Sequence, residues 1–151
     1  MSRAIIIGMN NPLSEDPRAA LMAHPVNSSG WRLWKMFQEV TGLPRNAYMT
    51  GFERVNLLDS RDWDPIGART KVEGLWSGWV GRTVIVCGRQ VQRVLWLQAR
   101  ATLAYSVSHG VRWCYIPHPS GLTHDYNDPR MRLAVGLRLE ELYHNGGQHA
   151  G

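Results

Sequence analysis

Apolar residues along the chain recur with two periods, one typical of buried strands and the other of amphipathic helices. Four short apolar or β-branched runs predict strands, three of them buried on both faces. The predicted strands cover residues 4–7, 53–58, 83–88 and 111–116. The stretches between and after them predict four helices. These cover residues 31–41, 69–79, 91–95 and 130–144. Residues 101–110 fit neither period.

Particular residues set the ends and faces of the predicted helices. Ser28 begins a Ser-Ser-Gly segment that can cap the first helix, and Gly42 ends that helix. In the last helix, Leu133, Leu137 and Leu142 are among the apolar positions.

The order of the predicted elements, β-α-β-α-β-α-β-α, favours an α/β fold with a parallel sheet. We expect a three-layer αβα sandwich around a four-stranded parallel sheet. A single domain spans residues 1–151, with residues 146–151 as a frayed tail. Ligands bind beyond the carboxyl ends of parallel strands. Polar residues that follow different strands should therefore meet at one edge of the sheet.

Charge and cysteine content indicate which partners and which cellular compartment suit this protein. The 151 residues carry a formal net charge of +5, which suits a polyanionic partner such as nucleic acid as well as a mildly basic cytoplasmic protein. Cys87 and Cys114 lie in apolar runs and are expected to be buried free thiols. No signal peptide is evident, and no apolar run approaches the ~20 residues of a membrane span. We expect a cytoplasmic protein with no membrane partner.

The last predicted strand ends abruptly at Pro117, and a polar turn follows. This turn contains His118, Ser120 and Gly121, and after them Leu122, which has no obvious core to join. A buried strand that runs into a rigid, polar, glycine-containing turn is more typical of a functional site than of a connector. A histidine in such a turn can alternatively serve only to cap a helix or a turn.

Polar residues also accompany the first two strands. Met9, Asn10 and Asn11 come directly after the first strand, although Asn is also common in ordinary turns. Asn56 is embedded in the second apolar run, where its amide needs hydrogen-bond partners. The amide offers donors and an acceptor, as a uracil-like base edge requires, but local backbone could also satisfy it. Trp31, at the mouth of the first helix, suits either core packing or stacking on a base.

In this order the motifs resemble those of the uracil-DNA glycosylase superfamily. The resemblance rests on Gly-x-Asn-(x)-Pro after the first strand, Asn in the second, Val-Ile-Val-Cys-Gly in the third, and His-Pro-Ser-Gly-Leu after the last. It spans residues 5–143. The Ser-Gly-Leu ending is most similar to the mismatch-specific uracil/thymine glycosylases, whereas the histidine is more similar to the classical uracil-excising branch.

The resemblance implies a uracil-DNA glycosylase-like fold and a monofunctional DNA glycosylase, which flips a base out of DNA and leaves an abasic site. The excised base would be uracil, a mispaired base or a modified pyrimidine, such as a hypermodified phage base. Repair and a role in phage biology or defence are both compatible with it. DNA is the expected partner, a monomer the expected state, and no cofactor is expected.

The resemblance also implies roles for individual residues. Asn10 or Asn11 would hold the attacking water, and His118 would stabilise negative charge on the departing base. Asn56 would read the flipped base, with Trp31 and Met9 beside it. The residues implied to contact DNA are Ser120 and Gly121, which would grip a phosphate, and Leu122, which would fill the gap left by the flipped nucleotide.

One departure from the family pattern keeps a second function open. Asn11 separates Asn10 from Pro12, and neither residue after the first strand is a carboxylate. An amide can only orient water, so a glycosylase-fold protein that binds DNA or a base with weak or no cleavage is the alternative. An unrelated nucleotide-binding enzyme is disfavoured because a glycine-rich phosphate loop is missing from the sequence. No metal is expected, because His118 and His124 have no third ligand at a suitable spacing and only two cysteines are present.

Overall fold

A computed structural model describes residues 2–9, 19–58, 62–95, 101–120 and 124–146. It has an α/β fold with one central sheet. The strands are β1 (Ala4–Gly8), β2 (Phe52–Asn56), β3 (Thr83–Cys87), β4 (Tyr105–Ser108) and β5 (Val111–Ile116). The helices are α1 (Ser29–Thr41), α2 (Arg45–Gly51), α3 (Pro65–Leu75), α4 (Arg89–Val94) and α5 (Pro129–Asn145).

The sheet has the strand order β2-β1-β3-β5-β4. Strands β1, β2, β3 and β5 are parallel, so the predicted parallel strands are present. The expectation of a purely parallel four-stranded sheet is wrong, because β4 adds an antiparallel fifth strand at the edge beside β5. The sheet is therefore mixed.

A tight turn accounts for the additional strand. Ser108 pairs with Val111, so only His109 and Gly110 connect β4 to β5. Both connecting residues have positive φ, 52° for His109 and 79° for Gly110. Positive φ at both positions is required in the two-residue hairpin turn whose twist matches that of its strands. Residues 101–110 showed no clear period because β4 is short and lies at the edge, where few of its side chains are buried.

Each face of the sheet has its own hydrophobic core, with helices packed on both sides. On one face, Ile6 and Ile85 pack with buried residues of α1, α2 and α5. On the other face, Ile7 and Val86 pack with residues of α3 and α4. Every residue of β1 and β3 is buried because alternate residues enter different cores. Cys87 and Cys114 are buried free thiols, as predicted.

Helix α1 has the predicted ends. The Ser28 Oγ accepts a hydrogen bond from the Trp31 backbone N–H at 3.2 Å, and Gly42 ends the helix in the left-handed conformation with φ 71°. Helix α3 begins four residues earlier than predicted, because Asp64 caps it and Pro65 occupies its first position. Helix α2 was not predicted, since its seven residues are too few to show a helical period.

Only some of the apolar residues of α5 face the core. Leu133 and Leu137 are 55% and 47% exposed, whereas Leu142 is buried together with Val135 and Leu139. Helix α5 packs closely against α1, and a Cβ on Gly136 would lie 2.5 Å from the Met36 carbonyl oxygen. This contact at Gly136 fixes which stripe of α5 faces inward. In the part of the chain that the structure describes, no helix is long and apolar enough to span a membrane.

Candidate functional site

The carboxyl ends of the four parallel strands form one edge of the sheet. Asn56 ends β2, Gly8 ends β1, Gly88 follows β3, and His118 lies two residues beyond the end of β5. Strands β1 and β3 separate β2 from β5, so Asn56 and His118 lie three strand spacings apart, about 14 Å between backbones. The two residues between them, Gly8 and Gly88, lack side chains. The edge therefore has one polar side chain on each side of two glycines.

Asn56 is a buried amide at this edge. Its register partner is Gly8, and the side chain lies across that glycine: a Cβ on Gly8 would be only 2.4 Å from the Asn56 Oδ1. The residue is 5% exposed, yet within the described residues no group donates a hydrogen bond to its amide or accepts one from it. An amide without such partners keeps its donors and its acceptor available to a ligand.

The segment before α1 covers this part of the edge. Leu21 lies over Gly8, with both of its methyl carbons 3.3 Å from where a glycine Cβ would be. The Tyr48 hydroxyl donates to the Leu21 carbonyl at 2.8 Å, and Arg54 Nη1 donates to the Ala20 carbonyl at 2.7 Å. Gly30 permits the close approach of this segment to α1. One buried and one partly buried hydrogen bond thus hold Ala20 and Leu21 at this edge of the sheet.

His118 lies on the other side of the two glycines and is partly buried. The backbone N–H of Ser120 donates to its Nδ1 at 3.2 Å, so Nδ1 is an acceptor and the neutral ring carries its proton on Nε2. Burial lowers the pKa of His118 below its ordinary value. The ring is therefore a neutral hydrogen-bond donor at physiological pH, and the turn itself fixes the tautomer.

Gly88 and two prolines hold His118 in place. Gly88 has φ 92°, and a Cβ there would lie 3.0 Å from the His118 Cβ. Its backbone N–H donates to the Ile116 carbonyl at 3.0 Å, which joins the end of β3 to the end of β5. Pro117 and Pro119 are buried, and the Pro117 carbonyl accepts a hydrogen bond from the Tyr126 hydroxyl at 2.7 Å. The rigid rings of the two prolines, as well as packing, therefore hold His118 in place.

The stability of the protein should depend on pH through His118. Its pKa is lowered in the folded state, so below pH ~6.5 the unfolded chain binds a proton that the folded chain resists. We expect stability to be constant above that pH and to fall below it, with a slope of at most about 1.4 kcal/mol per pH unit from this group. Urea unfolding between pH 5 and 8 measures this slope.

The matched comparison for the pH experiment is His118→Gln, which removes the titration. The variant should show a shallower loss of stability at acid pH than the wild type. His144→Gln, at an exposed histidine in the last turn of α5, should behave as the wild type. Identical slopes for wild type and His118→Gln would contradict the neutral, buried state of His118.

The structure brings together only some of the predicted site residues. Asn56 and His118 share one edge, and Ser120 and the half-buried Trp31 line a common cavity beside His118. The side chain of Met9 packs instead against the core between the sheet and α3 and α4, the opposite face from Asn56. The remaining predicted site residues lie outside the described residues; they are Asn10, Asn11, Gly121 and Leu122.

Metal binding and catalysis by a thiol nucleophile have less support from the described residues. Among the described residues, no three His, Cys, Asp or Glu side chains are grouped so that they could hold a metal ion. Burial raises the pKa of the Cys87 thiol, which makes it a packing residue rather than a nucleophile. A second cavity, lined in part by Val72, Trp76 and His109, lies beside the β4–β5 turn and away from the carboxyl edge.

The comparisons with known proteins add no family. No protein-family model matches the chain, and no curated protein matches its sequence. The residues at the carboxyl edge and the resemblance of the motifs are therefore the evidence for function.

Proposed function

We propose that this protein is a DNA glycosylase, which extrudes a pyrimidine-type base from DNA and hydrolyses its N-glycosidic bond to leave an abasic site. One observation carries the proposal. An amide with no hydrogen-bond partner among the described residues and a neutral histidine donor lie on opposite sides of two glycines, at the carboxyl edge of the four parallel strands. The α/β sheet is compatible with a uracil-DNA glycosylase-like fold, to which we assign the chain as part of this proposal.

The two glycines allow Asn56 and His118 to lie close to the backbone at this edge. A side chain at Gly8 would collide with Asn56, and one at Gly88 would press against His118. A base must leave the duplex to reach such a position, which costs a few kcal/mol of stacking and pairing. The amide of Asn56 can donate to a base carbonyl and accept from the adjacent N–H, which is the pattern on the edge of uracil. Asn56 would thus gain on binding the hydrogen bonds that no described residue supplies.

Breaking the N-glycosidic bond creates charge at two places. The bonding electrons leave with the base, which becomes an anion, and the sugar becomes oxocarbenium-like. The His118 Nε2–H is the donor we assign to the developing charge on the base oxygen, and a neutral imidazole is sufficient for this role. Water then adds to the sugar carbon, and the proton that it loses neutralises the base anion through the solvent. The water is assigned to Asn10 or Asn11, on the implication of the family pattern.

Binding of DNA requires contacts beyond the base. Ser120, at the end of the His118 turn, and Gly121 are assigned to a phosphate. Leu122 is assigned to the gap that the flipped nucleotide leaves, because an apolar wedge prevents the base from returning. The net charge of +5 favours association with the DNA backbone.

Cleavage of base-modified DNA tests the proposal. Duplexes with uracil, mispaired thymine or modified cytosine at one position are incubated with the protein and then treated with alkali, which breaks the strand at abasic sites. We expect breaks at the modified position of at least one substrate. If no substrate is broken but binding is tight and sensitive to salt, the protein is instead a glycosylase-fold DNA-binding protein that does not cleave.

A substitution at Asn56 tests the assignment of base reading. Asn56→Asp exchanges an amide donor for a carboxyl oxygen, so we expect a change in preference between bases of roughly 10- to 100-fold in single-turnover rates. Asn46→Asp, at an exposed position of α2, is the matched control and should leave preference unchanged. Preference that is the same in Asn56→Asp and in the wild type would contradict a reading role.

A second substitution at Asn56 distinguishes a role in reading the base from a role in stability. Because no described residue bonds to the Asn56 amide, Asn56→Leu should leave the free energy of unfolding unchanged or raise it by about 1 kcal/mol, while excision falls. A purely structural asparagine would give the opposite result, a loss of stability. Urea denaturation and the cleavage assay on the same preparation distinguish the two.

A further inference from the structure

A cavity of about 280 Å³ lies between the first half of α1 and the chain that leads into α5. Ser120, whose backbone N–H donates to His118, and Trp31 are both among its lining residues, so the cavity reaches the end of the turn that holds His118. Its size is at the lower end for small-molecule sites. None of the roles assigned so far uses the rest of this cavity.

One face of α1 forms a polar side of the cavity. Arg32, Lys35, Met36 and Glu39 occur at the i, i+3, i+4 and i+7 spacing of a single helical stripe, and all of them line it. Arg132, in the first turns of α5, lines the cavity as well. From Trp31 to Glu39 this stripe extends about 12 Å along the helix. Three cations and one carboxylate therefore border a groove that leads away from Ser120.

The cationic side chains are positioned before any ligand binds. Arg32 Nε donates to the Asn27 carbonyl at 3.2 Å, and Arg132 Nη1 donates to the Tyr126 carbonyl. Lys35 Nζ donates to the Gln38 side chain at 2.8 Å. A guanidinium has five N–H donors and an ammonium has three, so each group retains donors for a further acceptor. Fixed cations lose little entropy when they bind a phosphate.

The mixture of groups selects one class of ligand. Three cations suit a phosphate, and Trp31 offers an indole ring for stacking. The Glu39 carboxylate disfavours a ligand that is anionic throughout, but it can accept a hydrogen bond from a base amino group. A nucleotide combines one phosphate with one stacking base, and a bare phosphate ion lacks the second part.

We propose that this cavity binds the nucleotide that neighbours the flipped one, with its base against Trp31 and its phosphate on Arg132 and Lys35. The inference rests on the proposed function, because it takes the His118 turn as the position of the flipped nucleotide. A base held against Trp31 in the cavity cannot remain paired with the opposite strand. The site therefore favours DNA whose flank beside the target base is single-stranded.

Binding of an oligonucleotide without an excisable base tests the cavity separately from the chemistry. Fluorescein-labelled dT8 is titrated with the wild type, Trp31→Ala, Lys35→Gln and Arg132→Gln, with a duplex of the same length as the comparison. Wild type should bind dT8 more tightly than the duplex. Trp31→Ala should weaken binding of dT8 roughly tenfold, and Trp31→Phe should recover most of the loss, because stacking needs an aromatic ring.

The dependence of binding on salt distinguishes the cations from the ring. Arg132→Gln and Lys35→Gln should each reduce the slope of log K against log salt by about 0.7, the value for one phosphate contact on single-stranded DNA. Trp31→Ala should leave that slope unchanged. Arg130→Gln is the control, because Arg130 is two residues away, highly exposed and paired with Asp128 at 3.2 Å. Its slope and affinity should match the wild type.

Three results would overturn the inference. These are equal affinity of wild type and Trp31→Ala for dT8, an unchanged salt slope in both cation variants, or a preference of the wild type for the duplex. Excision of uracil by the wild type is measured in parallel. If the wild type excises uracil but the cavity variants bind dT8 as the wild type does, the cavity assignment is refuted and the glycosylase proposal is not. The predicted binding losses without excision on any substrate refute the glycosylase proposal and leave the cavity as a nucleotide site.

Discussion

Replacing His118 with alanine is expected to lower the single-turnover rate of base excision by roughly 10²- to 10³-fold, the loss that follows when one preorganised donor to a developing anion is removed. The ring is neutral, with Nδ1 occupied by the Ser120 N–H, so the lost contribution is that of the Nε2–H alone. Binding of DNA should change little, since the charge on the base develops only as the bond breaks. Single-turnover kinetics with saturating protein measure this rate.

The His118→Ala experiment needs a control for folding and one for histidine content. The variant loses the hydrogen bond from Ser120, which stabilises the turn by about 1 kcal/mol, so its melting temperature should fall only slightly. His144→Ala removes an exposed histidine from the end of α5 and should excise at the wild-type rate. Full activity in a folded His118→Ala protein would refute the assigned role.

The sequence was informative where a signal is local. The apolar runs of β1, β3 and β5 predict buried strands because each side of the sheet contributes alternate residues to a core. Ser28 and Gly42 mark the ends of α1 because caps depend on the conformation of a few adjacent residues. Asn56 and His118 lie at the same edge of the sheet because the strands that end near them are parallel.

Features that depend on distant contacts could not be predicted. The pattern of α5 allowed several apolar faces, and only the contact of Gly136 with α1 selects the one that is buried. The tautomer of His118 depends on how the turn folds back at Ser120. The cationic cavity combines a stripe on α1 with Arg132, about a hundred residues later in the chain. Its helical spacing was visible in the sequence, but the residue that faces it was not.

The candidate site has features that favour binding over stability. Asn56 is buried without a bonded partner among the described residues, and Gly88 adopts a conformation that strains other residues. Such costs are common where a ligand supplies the missing contacts. The rest of the edge must then be held firmly, which is the role we assign to the hydrogen-bonded segment over Gly8.

Gly30→Ala should have the largest effect on stability, because Gly30 is where that segment meets α1. An alanine Cβ would lie 2.1 Å from the Met22 carbonyl oxygen and 2.2 Å from the backbone of Leu21. Both contacts are with backbone, and the Tyr48 hydroxyl holds Leu21 in place from the other side. We expect a loss of about 3 kcal/mol or more and a fall in melting temperature of roughly 10 °C. Thermal and urea denaturation measure both quantities.

The matched control for Gly30→Ala is Gly74→Ala, since Gly74 lies within α3 and a Cβ there meets no atom within 4 Å. That substitution should raise stability by up to about 1 kcal/mol, the difference in helix propensity. Because Leu21 covers Gly8 beside Asn56, Gly30→Ala should also weaken excision at temperatures where the protein remains folded, and Gly74→Ala should not. If both variants melt like the wild type, the close packing of this segment on α1 is wrong, and with it the rigid cover of the base site.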